Sequence, residues 1–160
     1  MKNLLQTLCG LFLVVFYSSC MNSGDSRVDV LIVGGGASGV TSGIQAARMG
    51  ANTLILEETT WLGGMLTSAG VSAVDGNYRL PAGLWGEFKN RLSDYYGGLD
   101  SLKTGWVSNV LFEPSVGNKI FHEMVSAEKN LKVWKQTRLE EVKRVGDEWI
   151  AKVNVEGQGM

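Results

Sequence analysis

The sequence predicts an α/β fold built on a parallel sheet, with an added antiparallel strand set. Three observations support this prediction. An aliphatic run at residues 28–33 enters a glycine-rich turn, which is typical of a buried parallel strand that leads into a helix. Two later segments repeat apolar residues at helical spacing. Residues 138–155 alternate around Gly146 and Asp147 as a hairpin does.

The first twenty residues are expected to be a secretion signal and are set aside from the fold. Lys2 gives a positive start, an apolar run covers residues 8–17, and small residues lead into Cys20. This run is shorter than the roughly 20 residues that a membrane-spanning helix needs. The residues before Cys20 resemble a bacterial lipobox, in which the cysteine is lipidated and becomes the new amino terminus. Tyr17 departs from that pattern, because an aliphatic residue is preferred there.

Composition and cysteine content exclude several partners and sites. A formal charge of −1 gives no electrostatic reason to expect nucleic acid. Removal of the signal would leave Cys20 as the only cysteine, so neither an internal disulfide nor a cysteine-based metal site is expected. Residues 21–27 would form a polar tether. The mature protein is therefore expected to be an exported lipoprotein, anchored to a membrane on its periplasmic or cell-surface side.

The glycines after the first strand predict a dinucleotide site. Gly34, Gly36 and Gly39 form a GxGxxG pattern, and a helix is expected to follow from about Ser38 to Met49. The first glycine permits the tight turn, the second admits a pyrophosphate close to the backbone, and the third lets helix and strand pack closely. The amino terminus of the helix would direct its partial positive charge at the diphosphate.

A second strand and an acidic residue complete a Rossmann-like pattern. Residues 51–56 predict the strand, and Glu57 follows it at roughly the 20-residue separation from the first glycine where an acid binds ribose hydroxyls. A carboxylate there would repel a 2′-phosphate, which disfavours NADP. The doublet Gly63–Gly64 lies in a long glycine-punctuated segment. This segment favours FAD, because in a simple NAD domain a helix soon follows the second strand; an NAD-dependent dehydrogenase fragment is the alternative.

The remaining segments predict further helices and strands. Helical spacing and Pro81 predict a helix at Pro81–Tyr96 that stops at Gly97–Gly98. His122 could act as a base near neutral pH, but nothing in the sequence gives it a substrate, so a packed or surface position is expected. Four tryptophans are expected to pack: Trp61, Trp106, Trp134 and Trp149. The other predicted elements are a helix at about Pro114–Lys129, a strand at Leu131–Gln136, and a hairpin of Arg138–Val145 with Glu148–Val155.

With these motifs in place, the sequence resembles FAD-dependent oxidoreductases, including the flavin-binding part of heterodisulfide-reductase A-like proteins. The blocks that carry the resemblance are VDVLIVGGGASGVTSGIQAARMGANTLILEE and WLGGMLTSAG, and weaker similarity extends over nearly all of residues 28–155. The resemblance implies FAD as cofactor and an enzyme that works on a small molecule not identified by the sequence. It implies that the diphosphate is faced by Gly34, Gly36, Ser38 and Gly39 and that Glu57 holds the adenosine ribose. It also implies that Gly63, Gly64 and Met65 lie along the ligand toward the flavin and that Leu139 lies near the adenine.

The same resemblance implies that more protein is needed for activity. In such flavoproteins a strand returns to the main sheet and a substrate domain follows. Residues 28–160 are therefore expected to be the amino-terminal part of an FAD-binding domain, inactive alone, with no catalytic residue assigned. Iron–sulfur members of the family need cysteine-rich motifs, which this sequence lacks. A third hypothesis is a lipid-anchored binding protein that kept the fold and lost catalysis.

Overall fold

A parallel three-stranded sheet forms the centre of the protein. The computed structural model describes residues 26–103 and 108–156, so Cys20 and Trp106 lie outside the described residues. The strands β1 (Val30–Val33), β2 (Thr53–Leu56) and β3 (Leu131–Trp134) lie in the order β1-β2-β3. Both neighbouring pairs are parallel. Parallel pairing requires crossover connections, which the intervening helices provide.

Three helices cover the sheet in two steps: the first and third contact the strands, and the second packs on the third. They are α1 (Ala37–Arg48), α2 (Gly83–Tyr96) and α3 (Pro114–Ser126), and two short 3₁₀ turns cover Gly64–Leu66 and Leu99–Leu102. The core between α2 and α3 is aromatic: the Phe88 ring stacks on Phe121 with ring centroids 4.4 Å apart and meets the edge of Phe112 at 5.4 Å. Such ring pairs add to the stabilisation from apolar burial.

The predicted hairpin is confirmed. β4 (Thr137–Val145) pairs antiparallel with β5 (Glu148–Val155) around Gly146, whose φ of 62° suits a glycine in a tight turn. A bulge interrupts the register between Leu139 and Glu141. β4 begins beside the carboxyl end of β2, because the backbone N–H of Thr137 donates to the carbonyl oxygen of Glu57 at 2.9 Å.

The prediction that β1 is covered on both faces is wrong. Leu31 is 36% exposed and Val33 is 55% exposed, whereas all four residues of β2 are buried. The physical reason is strand order, since β1 forms an edge of the described sheet and β2 lies between two neighbours. An aliphatic run indicates a parallel strand, but its position within the sheet depends on strands that are distant in sequence.

The predicted bounds of several other elements are also corrected. α2 begins at Gly83 and not at Pro81, and it ends at Gly97, whose φ of 77° is the left-handed cap that the glycine stop predicts. α3 ends at Ser126, three residues early. Trp149, expected to pack, is 69% exposed. In the part of the chain that the structure describes, no helix combines the length and the apolar character needed to cross a bilayer.

Candidate dinucleotide-binding site

The turn between β1 and α1 places its three motif glycines in different surroundings. Gly34 has a φ of 100°, which an L side chain rarely adopts. A Cβ on Gly39 would lie 1.9 Å from the carbonyl oxygen of Gly34, so helix and turn touch there. A Cβ on Gly36 would meet no protein atom within 4 Å. The first and third glycines are therefore required by the fold itself, and the second faces open space.

Helix α1 lies directly on the sheet with its amino terminus at this turn. A Cβ on Gly43 would lie 2.7 Å from Cδ1 of Ile55, so a larger residue there would require the Ile55 side chain to move. Gly36 is the N-cap and provides no side-chain cap, and the first turn carries no acidic residue. The first backbone N–H groups of a helix have no partner within it and carry a partial positive charge. This end of α1 is suited to an anion.

The glycine doublet packs against the glycine turn. The backbone N–H of Gly63 donates to the carbonyl oxygen of Gly35 at 2.8 Å, and Gly63 forms an isolated parallel bridge with Gly36. A Cβ on Gly64 would lie 3.0 Å from the Cα of Gly36. The structure thus brings together two glycine segments that are well separated in sequence. Met65, the next residue, is 68% exposed beside them.

The carboxylate of Glu57 is fixed against the same turn. One oxygen accepts the backbone N–H of Gly35 at 2.7 Å, and the other accepts the N–H of Thr59 at 2.7 Å. The residue is only 8% exposed. Each carboxylate oxygen has two lone-pair directions, so one acceptor position per oxygen is not used by these two bonds. Glu57 therefore keeps the capacity to accept two hydroxyl donors at the edge of the turn.

The two remaining predicted residues lie on α1 and β4. Ser38 is exposed in the first turn of α1. Leu139 is half-buried on β4, two residues beyond Thr137, whose backbone is bonded to that of Glu57. Arg138, between them, forms an ion pair with Glu58 at 3.9 Å. The start of β4 is thus joined to Glu57 by a backbone hydrogen bond and to the neighbouring Glu58 by an ion pair.

Two polar residues that the sequence did not single out hold the loop before the doublet. Oδ1 of Asn118 accepts the backbone N–H of Leu62 at 2.9 Å. The buried hydroxyl of Thr67 donates to the carbonyl oxygen of Leu62 at 2.6 Å. A polar residue on the flank of an amphipathic helix is ordinary, so no sequence signal distinguishes Asn118. Only its tertiary contact shows that α3 positions the doublet.

An open cavity of about 440 Å³ lies beside the doublet. Its wall contains several hydroxyl groups, some of which already form hydrogen bonds within the protein. The hydroxyl of Thr59, for example, donates to the carbonyl oxygen of Trp61 at 3.0 Å. None of these lining residues was predicted as a ligand contact. The lining residues are Thr59, Thr60, Trp61, Thr67, Ser68, Gly70 and Pro114.

His122 lies on α3, and the structure gives it no link to the glycine turn. Its Nε2 atom is buried and has no hydrogen-bond partner among the described residues. Burial lowers the pKa of His122 below its ordinary value, and the nearby charge of Lys135 lowers that pKa further. The described residues contain no cluster of three His, Cys, Asp or Glu side chains that could hold a metal ion.

The turn, the doublet and the acid meet in an α/β fold of the FAD/NAD(P)-binding Rossmann-like class. Residues 29–160 match the family of FAD-dependent oxidoreductases. This match spans most of the chain, so the chain belongs to that family, a family of enzymes that use FAD. No curated protein matches the chain by sequence.

Several solved structures resemble the chain in fold. Thioredoxin reductase of T. acidophilum is 21% identical with a TM-score of 0.50, and the likeness covers 81% of this chain and 32% of that one. Anhydrotetracycline hydroxylase OxyS of Streptomyces rimosus is 13% identical with a TM-score of 0.56, covering 82% and 29%. CabE, an aromatic hydroxylase from angucycline biosynthesis, is 15% identical with a TM-score of 0.56, covering 81% and 28%. The chain spans about a third or less of each of these structures.

Proposed function

We propose that the chain is the FAD-binding part of an oxidoreductase and that the glycine turn is the cradle for the FAD diphosphate. One observation carries the proposal. The backbone of Gly35 and Gly36 meets both the doublet and the Glu57 carboxylate, while the space beside Gly36 is open. A turn that served only to connect strand and helix would not need a glycine at position 36, because nothing there crowds a side chain.

The roles of the site residues follow from their positions. Backbone N–H groups of the first α1 turn, with Ser38, would donate to the diphosphate oxygens. The unused acceptor positions of Glu57 match the two hydroxyls of the adenosine ribose. The doublet and Met65 would lie along the ligand toward the flavin, and Leu139 would lie near the adenine.

The redox step itself would belong to the cofactor. Bound FAD supplies hydride and electron transfer, and the protein supplies binding and orientation. In this chain the glycine turn would fix the diphosphate and Glu57 would fix the ribose. No described residue is assigned to substrate chemistry. The resemblance to heterodisulfide-reductase A-like members in particular stays a prediction.

We also propose that substrate binding and turnover need protein beyond residues 28–160. The exposed edge strand β1 supports this, since Leu31 and Val33 present apolar surface that a further strand would cover. The short span of the chain relative to the structures it resembles gives further support.

We propose that the protein is exported and that a lipid on Cys20 anchors it to a membrane, on the periplasmic or the cell-surface side. The support is the sequence: a positive start, a short apolar run and small residues before the cysteine. Mass spectrometry of the processed protein tests it. We expect a new amino terminus at Cys20 that carries acyl groups, and an unmodified Cys20 would contradict the proposal.

The ligand is tested by titrating the chain with FAD and with NAD and following flavin and tryptophan fluorescence. We expect reversible binding of FAD that is at least tenfold tighter than binding of NAD. Gly36→Val should weaken FAD binding at least tenfold, because the branched side chain would occupy the space proposed for the diphosphate. Gln45→Val, on an exposed part of the same helix, is the matched control. A preference for NAD, or equal FAD binding by Gly36→Val and wild type, would contradict the proposal.

A further inference from the structure

The turn end of the hairpin exposes apolar side chains on both of its faces. Successive residues of a strand point to opposite faces. The register therefore places Val142 and Trp149 on one face and Val145 and Ile150 on the other. Their exposed fractions are 46%, 69%, 56% and 54%. The four side chains do not form one face, but they are grouped at one end of the hairpin, which suits that end to contact an apolar environment on both sides. We call residues 142–151 the hairpin tip.

Each of the two largest apolar side chains of the tip lies directly opposite a cation. Lys143 pairs with Ile150 and Arg144 pairs with Trp149 across the two strands. Tryptophan is favoured at membrane–water interfaces. Long cationic side chains lay their stems on apolar surface and extend their charge into the polar layer. The tip also carries the carboxylates of Asp147 and Glu148, so its exposed apolar side chains, and not a net positive charge, fit it to the interfacial layer of a bilayer.

The cations of the tip have exposed partners that they could exchange for phosphates. The amino group of Lys143 lies 3.0 Å from the carboxylate of Glu141, and the guanidinium of Arg144 lies 3.8 Å from that of Asp147. Exposed ion pairs of this kind contribute little to stability. Moving either cation to a lipid phosphate would therefore cost the fold little.

Arg27, the last residue of the tether, contacts the tip. The guanidinium of Arg27 donates a hydrogen bond to the carboxylate of Glu148, the residue that precedes Trp149. The backbone from Cys20 to Arg27 spans at most about 25 Å when fully extended. A lipid on Cys20 would therefore keep the hairpin tip close to the bilayer surface.

We propose that the hairpin tip is a second membrane contact, in which Trp149 and Ile150 enter the interfacial layer of a phospholipid bilayer. The inference rests on the proposed lipidation of Cys20. A bilayer contact in addition to the lipid would orient the protein, which a lipid on a tether does not do. β4 runs from Thr137, beside Glu57, to the tip over roughly 26 Å. The contact would therefore hold the dinucleotide site away from the membrane.

The test uses the full chain, processed in a bacterium and reconstituted in vesicles of phosphatidylethanolamine and phosphatidylglycerol with brominated acyl chains. Bromine quenches a tryptophan that enters the bilayer. We expect brominated lipid to quench the wild-type fluorescence and Trp149→Phe to remove most of that quenching. Trp134→Phe, at a half-buried position of the sheet, should leave the quenching unchanged. Ile150→Asp should reduce it at least twofold while Trp149 is still present.

The outcomes separate the tip contact from the anchor. An acylated Cys20 together with quenching that depends on Trp149 supports the inference. An acylated Cys20 with quenching that is equal in wild type and Trp149→Phe overturns the tip contact and leaves the anchor standing. Association of the vesicle-bound chains through the tip, with Trp149 shielded from bromine, overturns it in favour of a second copy. A Cys20 without acyl groups overturns the anchor and the tip contact with it.

Discussion

Three glycines of one motif are required for different reasons. Gly39 is fixed by contact with the carbonyl oxygen of Gly34, and Gly34 is fixed by its positive φ. At Gly36 neither reason applies, since φ is −63° and the neighbouring space is open. A sequence pattern cannot distinguish a glycine that the fold needs from one that a ligand needs, because the residue is glycine in both cases.

Alanine at these positions should separate folding from binding. Gly39→Ala forces the turn and helix apart and should lower the free energy of unfolding by about 3 kcal/mol or more, at or above the usual range for overpacking. Gly36→Ala should lower it by only about 1 kcal/mol or less, the usual effect of alanine at an N-cap, yet weaken FAD binding. Urea denaturation with a parallel FAD titration measures both. Equal stabilities for the two variants would show that the contact at Gly39 relaxes freely.

His122 should make the protein less stable at mildly acidic pH. Its pKa is lowered from 6.5 in the folded state by burial first and by Lys135 second. Below pH 6.5 the unfolded chain therefore binds a proton that the folded chain does not, and stability falls as the pH drops. His122→Gln should remove this component of the pH dependence between pH 7 and the lowered pKa. If the stability curves of wild type and variant superimpose over that range, His122 does not cause this pH dependence.

At the scale of elements, one arginine joins the three helices. The guanidinium of Arg48, at the end of α1, makes two hydrogen bonds to the carboxylate of Glu87 on α2, at 2.6 and 2.9 Å. It makes a third, at 2.8 Å, to Glu128, which follows α3. These bonds raise the pKa of Arg48 and lower that of Glu87. A two-bond pair and a third partner make this cluster stronger than a single surface ion pair.

Arg48→Met should lower the free energy of unfolding by about 1 kcal/mol, because the stem is kept and only the charged contacts are lost. Arg91→Met is the matched control, since Arg91 makes one ion pair with Glu123 at 3.7 Å and should contribute less than about 0.5 kcal/mol. Thermal and urea denaturation measure both variants. The cluster has no special role if the two substitutions have the same effect.

A buried lysine holds the loop before α2. Nζ of Lys89 donates to the carbonyl oxygens of Tyr78 and Leu80 at 2.7 and 2.9 Å, and the side chain is almost fully buried. A buried amino group needs hydrogen-bond acceptors, and these two carbonyl oxygens provide them. The lysine thus ties α2 to a segment that the hydrophobic pattern alone leaves as an undefined loop.

At the scale of the whole molecule, FAD should stabilise the chain without making it an active enzyme. A ligand that binds only the folded state adds about 2.7 kcal/mol at a concentration of one hundred times its Kd. We expect the melting temperature to rise with FAD concentration and to rise less with NAD. We also expect no reduction of an artificial electron acceptor by the FAD-loaded chain. Stoichiometric tightly held flavin with turnover would contradict the need for further protein.

The sequence by itself determined the local structure and the kind of ligand. Three features could be predicted from residues close in sequence: the glycine turn, the acid after β2 and the hairpin around Gly146. Each depends only on local backbone conformation and short-range spacing. The resemblance to FAD-dependent oxidoreductases, confirmed by the family match, also required only the order of those motifs.

Only the tertiary structure decided which segments meet. Four features depend on residues that are distant in sequence. They are the contact of Gly63 with Gly35, the hydrogen bond of Asn118 to the loop before the doublet, the exposed edge at β1, and the exposure of Trp149. Burial and hydrogen-bond partners are properties of a packed set of elements. A hydrophobic pattern states that a side chain prefers to be covered, and the arrangement of the other elements decides whether it is.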